Sequence, residues 1–121
     1  MTPRQERELL KKYGISEELS AEEVTQLLKK RATQEELEGL KKRYSRKMGY
    51  CAQAEQALRE GNLRRAEELL EYALGLGIYG NEVVYNLLGD VYSRRGMLEK
   101  ARECYRRSGS IESLKKLKNL G

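Results

Sequence analysis

An internal repeat constrains this chain more than any other feature of its sequence. When the sequence is shifted by 35 residues, the distance from Gly61 to Gly96, its side-chain classes realign: aromatic residues meet aromatic or apolar ones and small residues meet small ones. The aligned pairs are Tyr50 with Tyr85, Ala54 with Gly89, Gly61 with Gly96, Leu63 with Leu98, Ala66 with Ala101, Leu70 with Tyr105 and Ala73 with Ser108. A fixed period of this size predicts a supersecondary unit that stacks on its neighbour.

The glycines and small residues of the repeat predict two antiparallel helices in each unit. Gly61 and Gly96 can adopt the left-handed conformation that ends one helix and starts a turn. Small residues would let the two helices approach closely at Ala54, Ala66, Gly89 and Ala101. Large residues would fill the space between units at Tyr50, Leu70, Tyr85 and Tyr105.

The second copy carries the clearest motif. It reads Tyr85-x-x-Leu88-Gly89-x-x-Tyr92, followed by Gly96 and Ala101-x-x-x-Tyr105. This resembles the tetratricopeptide repeat, whose first helix carries an aromatic, Leu-Gly and Tyr, and whose second carries Ala and a large apolar residue. The resemblance covers about residues 47 to 113 and implies an α-solenoid of antiparallel helical hairpins.

The first copy departs further from the family pattern. It keeps the small and apolar positions but has Gln53 and Ala57 where Leu and Tyr are expected. Neither copy ends in the family's proline, since Ile78 and Ser113 stand there, and the period is one residue longer than the 34 of the family. We expect the loop at 75–80 to absorb the extra residue.

Three helices are predicted before the repeats because each has a capping signal. Thr2-Pro3 opens the first, which ends at Gly14. Capping boxes open the other two, Ser20 with Glu23 and Thr33 with Glu36. The third helix either continues to about Glu60 or breaks near Gly49, and the pattern leaves both alternatives open.

These signals together predict an all-α fold. It has an N-terminal helical segment at 1–46 that packs on the first repeat, two repeats at 47–81 and 82–113, and a C-terminal capping helix at 110–121. The apolar stripe of that last helix (Ile111, Leu114, Leu117 and Leu120) is expected to cover the second repeat, with Lys115, Lys116 and Lys118 outward. Two repeats are fewer than the roughly three that a stable stack needs. The N-terminal helices could therefore cover the first repeat or fill the groove, and self-association is the alternative way to hide that surface.

Composition argues against catalysis, a metal site and a membrane span. The chain has no histidine, two distant cysteines (Cys51 and Cys104) and no phosphate-binding glycine motif, so neither an enzyme nor a cofactor or metal is expected. No run approaches the roughly 18 apolar residues of a spanning helix. Without a signal peptide, the expected location is the cytoplasm, where the cysteines stay reduced; a disulfide is the alternative.

The resemblance also implies a binding site, because partners of this family bind in the concave groove lined by the first helix of each hairpin. By alignment the groove residues are Met48, Cys51, Glu55, Leu58, Arg59, Val83, Asn86, Asp90, Ser93 and Arg94. Asn86 and Asp90 are predicted exposed and able to hold a peptide backbone, although they could equally be solvated, with Glu55 pairing with Arg59. The family's carboxylate clamp is not expected, since Cys51 and Glu55 replace its lysine and asparagine.

The predicted function is a protein–protein interaction module, an adaptor or chaperone-like protein that binds another protein or peptide. Nucleic acid is a less favoured partner. Two features favour it: the net charge is +5, and a basic run occurs at Lys41-Lys42-Arg43-Tyr44-Ser45-Arg46-Lys47. In this run Tyr44 would stack on a base. Against it, Tyr44 continues an apolar stripe and is expected in the core. A self-assembling homo-oligomeric subunit is the third alternative.

Overall fold

The predicted capping residues begin the helices of this protein. The computed structural model describes residues 1–120, which contain helices and no strand, so the all-α prediction is confirmed for them. The helices are α1 (Pro3–Lys12), α2 (Ala21–Leu28), α3 (Gln34–Arg59), α4 (Leu63–Gly75), α5 (Asn81–Arg94), α6 (Leu98–Ser108) and α7 (Ile111–Asn119). Thr2, Ser20 and Thr33 each form a capping box, and Ser110 caps α7.

Helix α3 is a single helix of 26 residues that does not break at Gly49. A glycine inside a helix costs only about 1 kcal/mol relative to alanine. Packing can offset that cost, because the two halves of α3 contribute to two different hydrophobic clusters. Leu40 belongs to one cluster, while Ala54 and Leu58 belong to the other.

The first cluster, here called the repeat core, joins α3, α4 and α5. Helix α3 contacts α4, α5 contacts α6, and both α3 and α4 contact α5. Ala54, Ala66 and Ala101 are fully buried, and a Cβ atom at Gly89 would collide with the ring of Tyr105. Small side chains are therefore required where helices approach closely, as the repeat pattern predicts.

The second cluster, here called the N-terminal core, joins α1, α2 and the first half of α3 to the loop between α4 and α5. That loop supplies Tyr79, which is buried, and Ile78. The ring of Tyr79 lies edge-on to Tyr44 with centroids 5.5 Å apart, and its hydroxyl lies 2.6 Å from Thr25 Oγ1 in α2. Tyr44 is thus a core residue, as its position on the apolar stripe predicts.

Buried charged side chains fasten the same loop to the N-terminal helices. Glu6 of α1, 1% exposed, accepts a hydrogen bond from the backbone N–H of Tyr79 (2.7 Å) and one from Arg43 Nε (2.9 Å). Lys47 of α3, 2% exposed, donates to the carbonyl oxygens of Gly77 (2.7 Å) and Tyr79 (2.8 Å) and to the side chain of Asn81. The loop that we expected only to absorb an extra residue is the attachment point of the N-terminal segment.

Helix α7 is rotated about its axis relative to the expected orientation. Its fully buried residue is Ser113, while Ile111 is 76% exposed and Leu114 is 50% exposed. Leu117 and Leu120 are half-buried. The prediction that the apolar stripe covers the second repeat is wrong for its first two members, because α7 docks through polar side chains instead.

Both cysteines are free thiols, Cys51 buried and Cys104 half-buried. Burial raises the pKa of Cys51 to about 11, and it also raises the pKa of Cys104. Both thiols are therefore protonated near neutral pH and poorly nucleophilic. Among residues 1–120, every helix is either too short or too polar to span a bilayer.

Candidate functional site

A cleft of about 550 Å³ lies where α3, α5 and α7 meet. Helix α5 forms its floor, the last turns of α3 form one wall, and α7 forms the other. Eight of the ten predicted groove residues line it: Glu55, Leu58, Arg59, Val83, Asn86, Asp90, Ser93 and Arg94. The alignment with the repeat pattern therefore brings together side chains from two helices that sequence proximity alone would not connect.

Met48 and Cys51 do not line this cleft. Cys51 belongs to the buried repeat core, and Met48 packs against that core. Both precede Glu55 by one or two turns of α3, in the segment where the helix turns its side chains toward α4 and α5. The structure thus brings together the C-terminal part of the predicted groove and leaves these two residues outside it.

The cleft carries alternating charges around an apolar strip. Its acidic members are Glu55, Asp90 and Glu112, and its basic members are Arg59, Arg94 and Lys116. Leu58, Val83 and Leu87 supply the apolar contacts. Equal numbers of opposite charges fit a ligand that itself carries both signs, not a polyanion.

The two predicted backbone-binding residues are engaged by α7. Asn86 Oδ1 accepts from Ser113 Oγ at 2.7 Å, and Asn86 is only 8% exposed. Asp90 Oδ2 accepts from Lys116 Nζ at 3.0 Å, and its Oδ1 accepts from the hydroxyl of Tyr105 at 2.6 Å. The prediction that Asn86 is exposed is wrong, since α7 covers it, and Asp90 is half-buried.

The electrostatics of this contact favour the charged pair. Burial alone lowers the pKa of Lys116, but its hydrogen bond to Asp90 and the nearby Glu112 more than compensate, so its pKa is raised. Burial, followed by the hydrogen bond to Asp90, raises the pKa of Tyr105. The lysine therefore stays charged and the phenol stays protonated across the physiological range.

The other side of the cleft is more open. Arg59 and Glu55 form an exposed pair with Nη1 and Oε2 4.0 Å apart, as their i, i+4 spacing predicts. Arg94 Nη1 donates to the backbone carbonyl of Leu58 near the end of α3. A guanidinium has five donors, so this bond leaves others for a ligand.

Four residues of the cleft were not predicted from sequence: Leu87, Tyr105, Glu112 and Lys116. Lys116 was assigned to the outward face because the apolar stripe was expected to point inward. The pattern of α7 alone gave no signal for the observed orientation, because Ser113 and Lys116 are held by Asn86 and Asp90 of α5.

Three side chains of the basic run at 41–47 are engaged in contacts within the fold. Arg43 pairs with Glu6, Lys47 is buried in the loop contacts, and Tyr44 packs in the N-terminal core. Lys41, Lys42 and Arg46 remain exposed. Three cations without an accessible aromatic residue form a weaker track for phosphates than the sequence suggested.

A second cleft of about 520 Å³ lies between α1 and the start of α3. Its lysine, Lys12, contacts Glu36 Oε2 at 3.3 Å, and Glu36 also accepts from the hydroxyl of Tyr13 at 2.7 Å. The backbone bond from Thr33 and the one from Tyr13 lower the pKa of Glu36 to about 2. These contacts join α1 to α3 and are explained by the fold alone.

Comparisons with protein-family models, with curated proteins and with solved structures find no match to this chain.

Proposed function

We propose that this chain is a protein-binding module of tetratricopeptide type that holds a peptide or helix of a partner in the cleft between α3 and α5. The observation that carries the proposal is the convergence of eight aligned groove residues on one cleft. The contacts of α3 with α4, of α5 with α6, and of both α3 and α4 with α5 support the repeat interpretation.

The contacts within the cleft indicate which residues are free to bind. Asn86 and Asp90 already accept hydrogen bonds from α7, so a ligand would have to displace that helix to bind them. Glu55 and Arg59 are at least half exposed, and such a surface pair contributes only about 0–1 kcal/mol. A ligand can therefore replace the Glu55–Arg59 contact at little cost.

The proposed recognition uses the side chains that are free to bind a ligand. Arg59 and the remaining donors of Arg94 bind carbonyl or carboxylate oxygens of the peptide, and Glu55 accepts from a backbone N–H or a basic side chain. Leu58 and Val83 contact an apolar side chain between them. Concave sites of this size commonly combine an apolar surface with a few polar groups that fix orientation.

A random peptide library displayed on phage tests the proposal. Ser93 lines the cleft, so Ser93→Trp fills it, and Ser45→Trp places the same side chain on an exposed position of α3 outside it. We expect peptides selected on the wild type to bind Ser93→Trp about tenfold or more weakly, as loss of a central contact commonly causes. Ser45→Trp is expected to bind normally.

Two outcomes contradict the proposal: a library that yields no peptide above background, and selected peptides that bind Ser93→Trp as tightly as the wild type. Circular dichroism and thermal melting of both variants must match the wild type, so that lost binding is not lost folding.

A further inference from the structure

The outward face of α7 carries a row of side chains that the fold does not use. Ile111 and Leu114 are exposed apolar residues, and Lys115 and Lys118 are exposed as well. Their spacing is i, i+3, i+4 and i+7, which places all four on one face of the helix. A helix presents such a row when it packs against another helix.

The opposite face of α7 accounts for its attachment to the rest of the protein. Ser113 contacts Asn86 and Ser108 through its hydroxyl, each at 2.7 Å, and Lys116 contacts Asp90. Ile111 and Leu114 therefore contribute little to holding α7 in place. Their exposure is a cost in water unless something else covers them.

Within the described residues, no helix covers the outward face of α7. Helix α3 contacts α4, α5 contacts α6, and α7 contacts α6, while Ile111 and Leu114 stay exposed. This face is therefore open to a helix of another molecule.

Charge decides what kind of helix fits this face. Within the described part of the chain, neither Lys115 nor Lys118 has a salt-bridge partner, and the nearby Glu112 pairs with Lys116 at 3.2 Å. The face is therefore apolar in the first turn of α7, at Ile111 and Leu114, and basic in the next turns, at Lys115 and Lys118. Its complement is a helix with apolar residues along one stripe and carboxylates beside that stripe.

We propose that the outward face of α7 binds an acidic amphipathic helix of a partner protein. The proposal does not depend on the cleft, which lies on the other side of α7. An anionic membrane is the less suitable occupant. Peripheral attachment by this means takes a large apolar face and a cluster of about 4–8 basic residues, and this face offers two of each kind.

Synthetic helical peptides test the proposal on the full-length, isotopically labelled protein. The probe carries leucine at i, i+3, i+4 and i+7 with glutamates flanking the stripe, and the comparison peptide has lysines in place of those glutamates. We expect the acidic peptide to bind with a Kd on the order of 10–100 µM, as suits a small interface, and to shift the NMR signals of Ile111, Leu114, Lys115 and Lys118.

Two double variants, with a matched control, identify the face. Ile111→Ser with Leu114→Ser removes the two apolar side chains, and Lys115→Glu with Lys118→Glu reverses the charge. Each is expected to weaken the acidic peptide about tenfold or more. Leu27→Ser removes a leucine of similar exposure, 47%, from α2 and is expected to change nothing. Ser93→Trp, which fills the cleft, is also expected to leave this binding unchanged.

The proposal is overturned if both peptides bind equally, or if the serine variant binds the acidic peptide as the wild type does. It is also overturned if only phosphatidylserine vesicles shift these signals, which would make the face a membrane surface. Loss of a homodimer in the serine variant, without any peptide binding, would make a second copy the occupant and likewise overturn it.

Discussion

Lys47 is the residue whose surroundings differ most from those its type prefers. Lysine is almost never fully buried unless it is paired, and here three oxygen acceptors from the loop and from Asn81 surround its ammonium group. Burial, opposed by the charge of Glu6, lowers the pKa of Lys47 to about 8. The side chain links α3 to a loop whose backbone hydrogen bonds are single turns, such as Asn81 N–H to the carbonyl oxygen of Ile78 at 3.3 Å.

Replacing this lysine tests how much the link contributes. Lys47→Met keeps most of the volume but leaves the carbonyl oxygens of Gly77 and Tyr79 without their donor. We expect the free energy of unfolding to fall by about 1–3 kcal/mol, the usual cost of an unsatisfied buried polar group. Urea denaturation at pH 7 measures it, and Lys41→Met, an exposed position on the same helix, serves as the control.

The difference in unfolding free energy between the wild type and Lys47→Met is expected to depend on pH. In the unfolded chain Lys47 titrates near 10.4, above its folded pKa of about 8. Between these values the unfolded state binds a proton that the folded state has released, so stability from this group increases with pH. We expect the wild type to gain stability relative to Lys47→Met from pH 8 to 10 and to show a constant difference below pH 8. A difference that shrinks over that range would contradict the lowered pKa.

Two glycines in helices predict opposite effects of the same substitution. A Cβ at Gly89 would collide with the ring of Tyr105, whereas a Cβ at Gly49 would meet nothing within 4 Å. We expect Gly89→Ala to destabilise by about 1–3 kcal/mol through overpacking, and Gly49→Ala to stabilise by about 0.5–1 kcal/mol through helix propensity. Thermal melting of the two variants compares them directly. If Gly89→Ala raises the melting temperature as Gly49→Ala does, α5 and α6 are not in close contact at this position.

At the scale of elements, local signals predicted helix starts and ends well. The capping boxes at Thr2, Ser20 and Thr33 all form, and Gly61 and Gly96 have φ of 76° and 75° at the hairpin turns. Continuity of α3 across Gly49 could not be predicted, because it depends on two cores that flank the glycine. Local patterns contain caps and turns, but not the tertiary contacts that decide a marginal break.

The absence of tertiary contacts from local patterns also explains which predictions for α7 and the cleft were wrong or incomplete. Apolar periodicity predicted the inward face of α7, yet Ser113 and Lys116 found polar partners on α5 that no spacing within α7 reveals. The contact between Glu6 and Tyr79 joins residues 73 positions apart. The groove was largely predicted because the repeat aligns its two halves, whereas α7, outside the repeat, added cleft residues without any such signal.

Truncation after Gly109 tests the polar docking of α7. Removal uncovers Asn86 and Asp90, which are polar, together with the apolar surface under the half-buried Leu117 and Leu120. We expect a loss of about 1–3 kcal/mol, less than full burial of four apolar side chains would give. Because α7 docks on α5 through the polar contacts of Ser113 and Lys116, the shortened protein is expected to remain monomeric. Urea denaturation and light scattering measure both effects, and concentration-dependent association would indicate a more apolar contact than the structure has.

The described residues form two hydrophobic cores that share helix α3, and the loop between α4 and α5 joins the N-terminal core to the repeats. Glu6 of α1 is a buried carboxylate that joins this helix to Arg43 of α3 and to Tyr79 of the loop. We expect Glu6→Gln to cost about 3 kcal/mol, because it leaves the charge of the partly buried Arg43 without its carboxylate, with only the Met1 carbonyl oxygen as acceptor. We expect the loss of local stability to be larger in α1 and α2 than in the repeat core.

Hydrogen exchange resolved by residue measures this distribution. Amides of α1 and α2 are expected to exchange about a hundredfold faster in Glu6→Gln, while those of α5 and α6 keep their protection within a few-fold. Glu8→Gln, which alters an exposed carboxylate of the same helix, is the control. Equal acceleration in all helices would mean that the two cores unfold as one unit.

The position of Tyr79 in the N-terminal core has a consequence for synthesis on the ribosome. Leu40 and the helices before it emerge first, but their core lacks a member until the chain has grown to Tyr79. At about 5–20 residues per second, that interval lasts roughly 2–8 s. During this time the apolar side chains of the N-terminal core lack one of their packing partners, because Tyr79 is translated after the first hairpin.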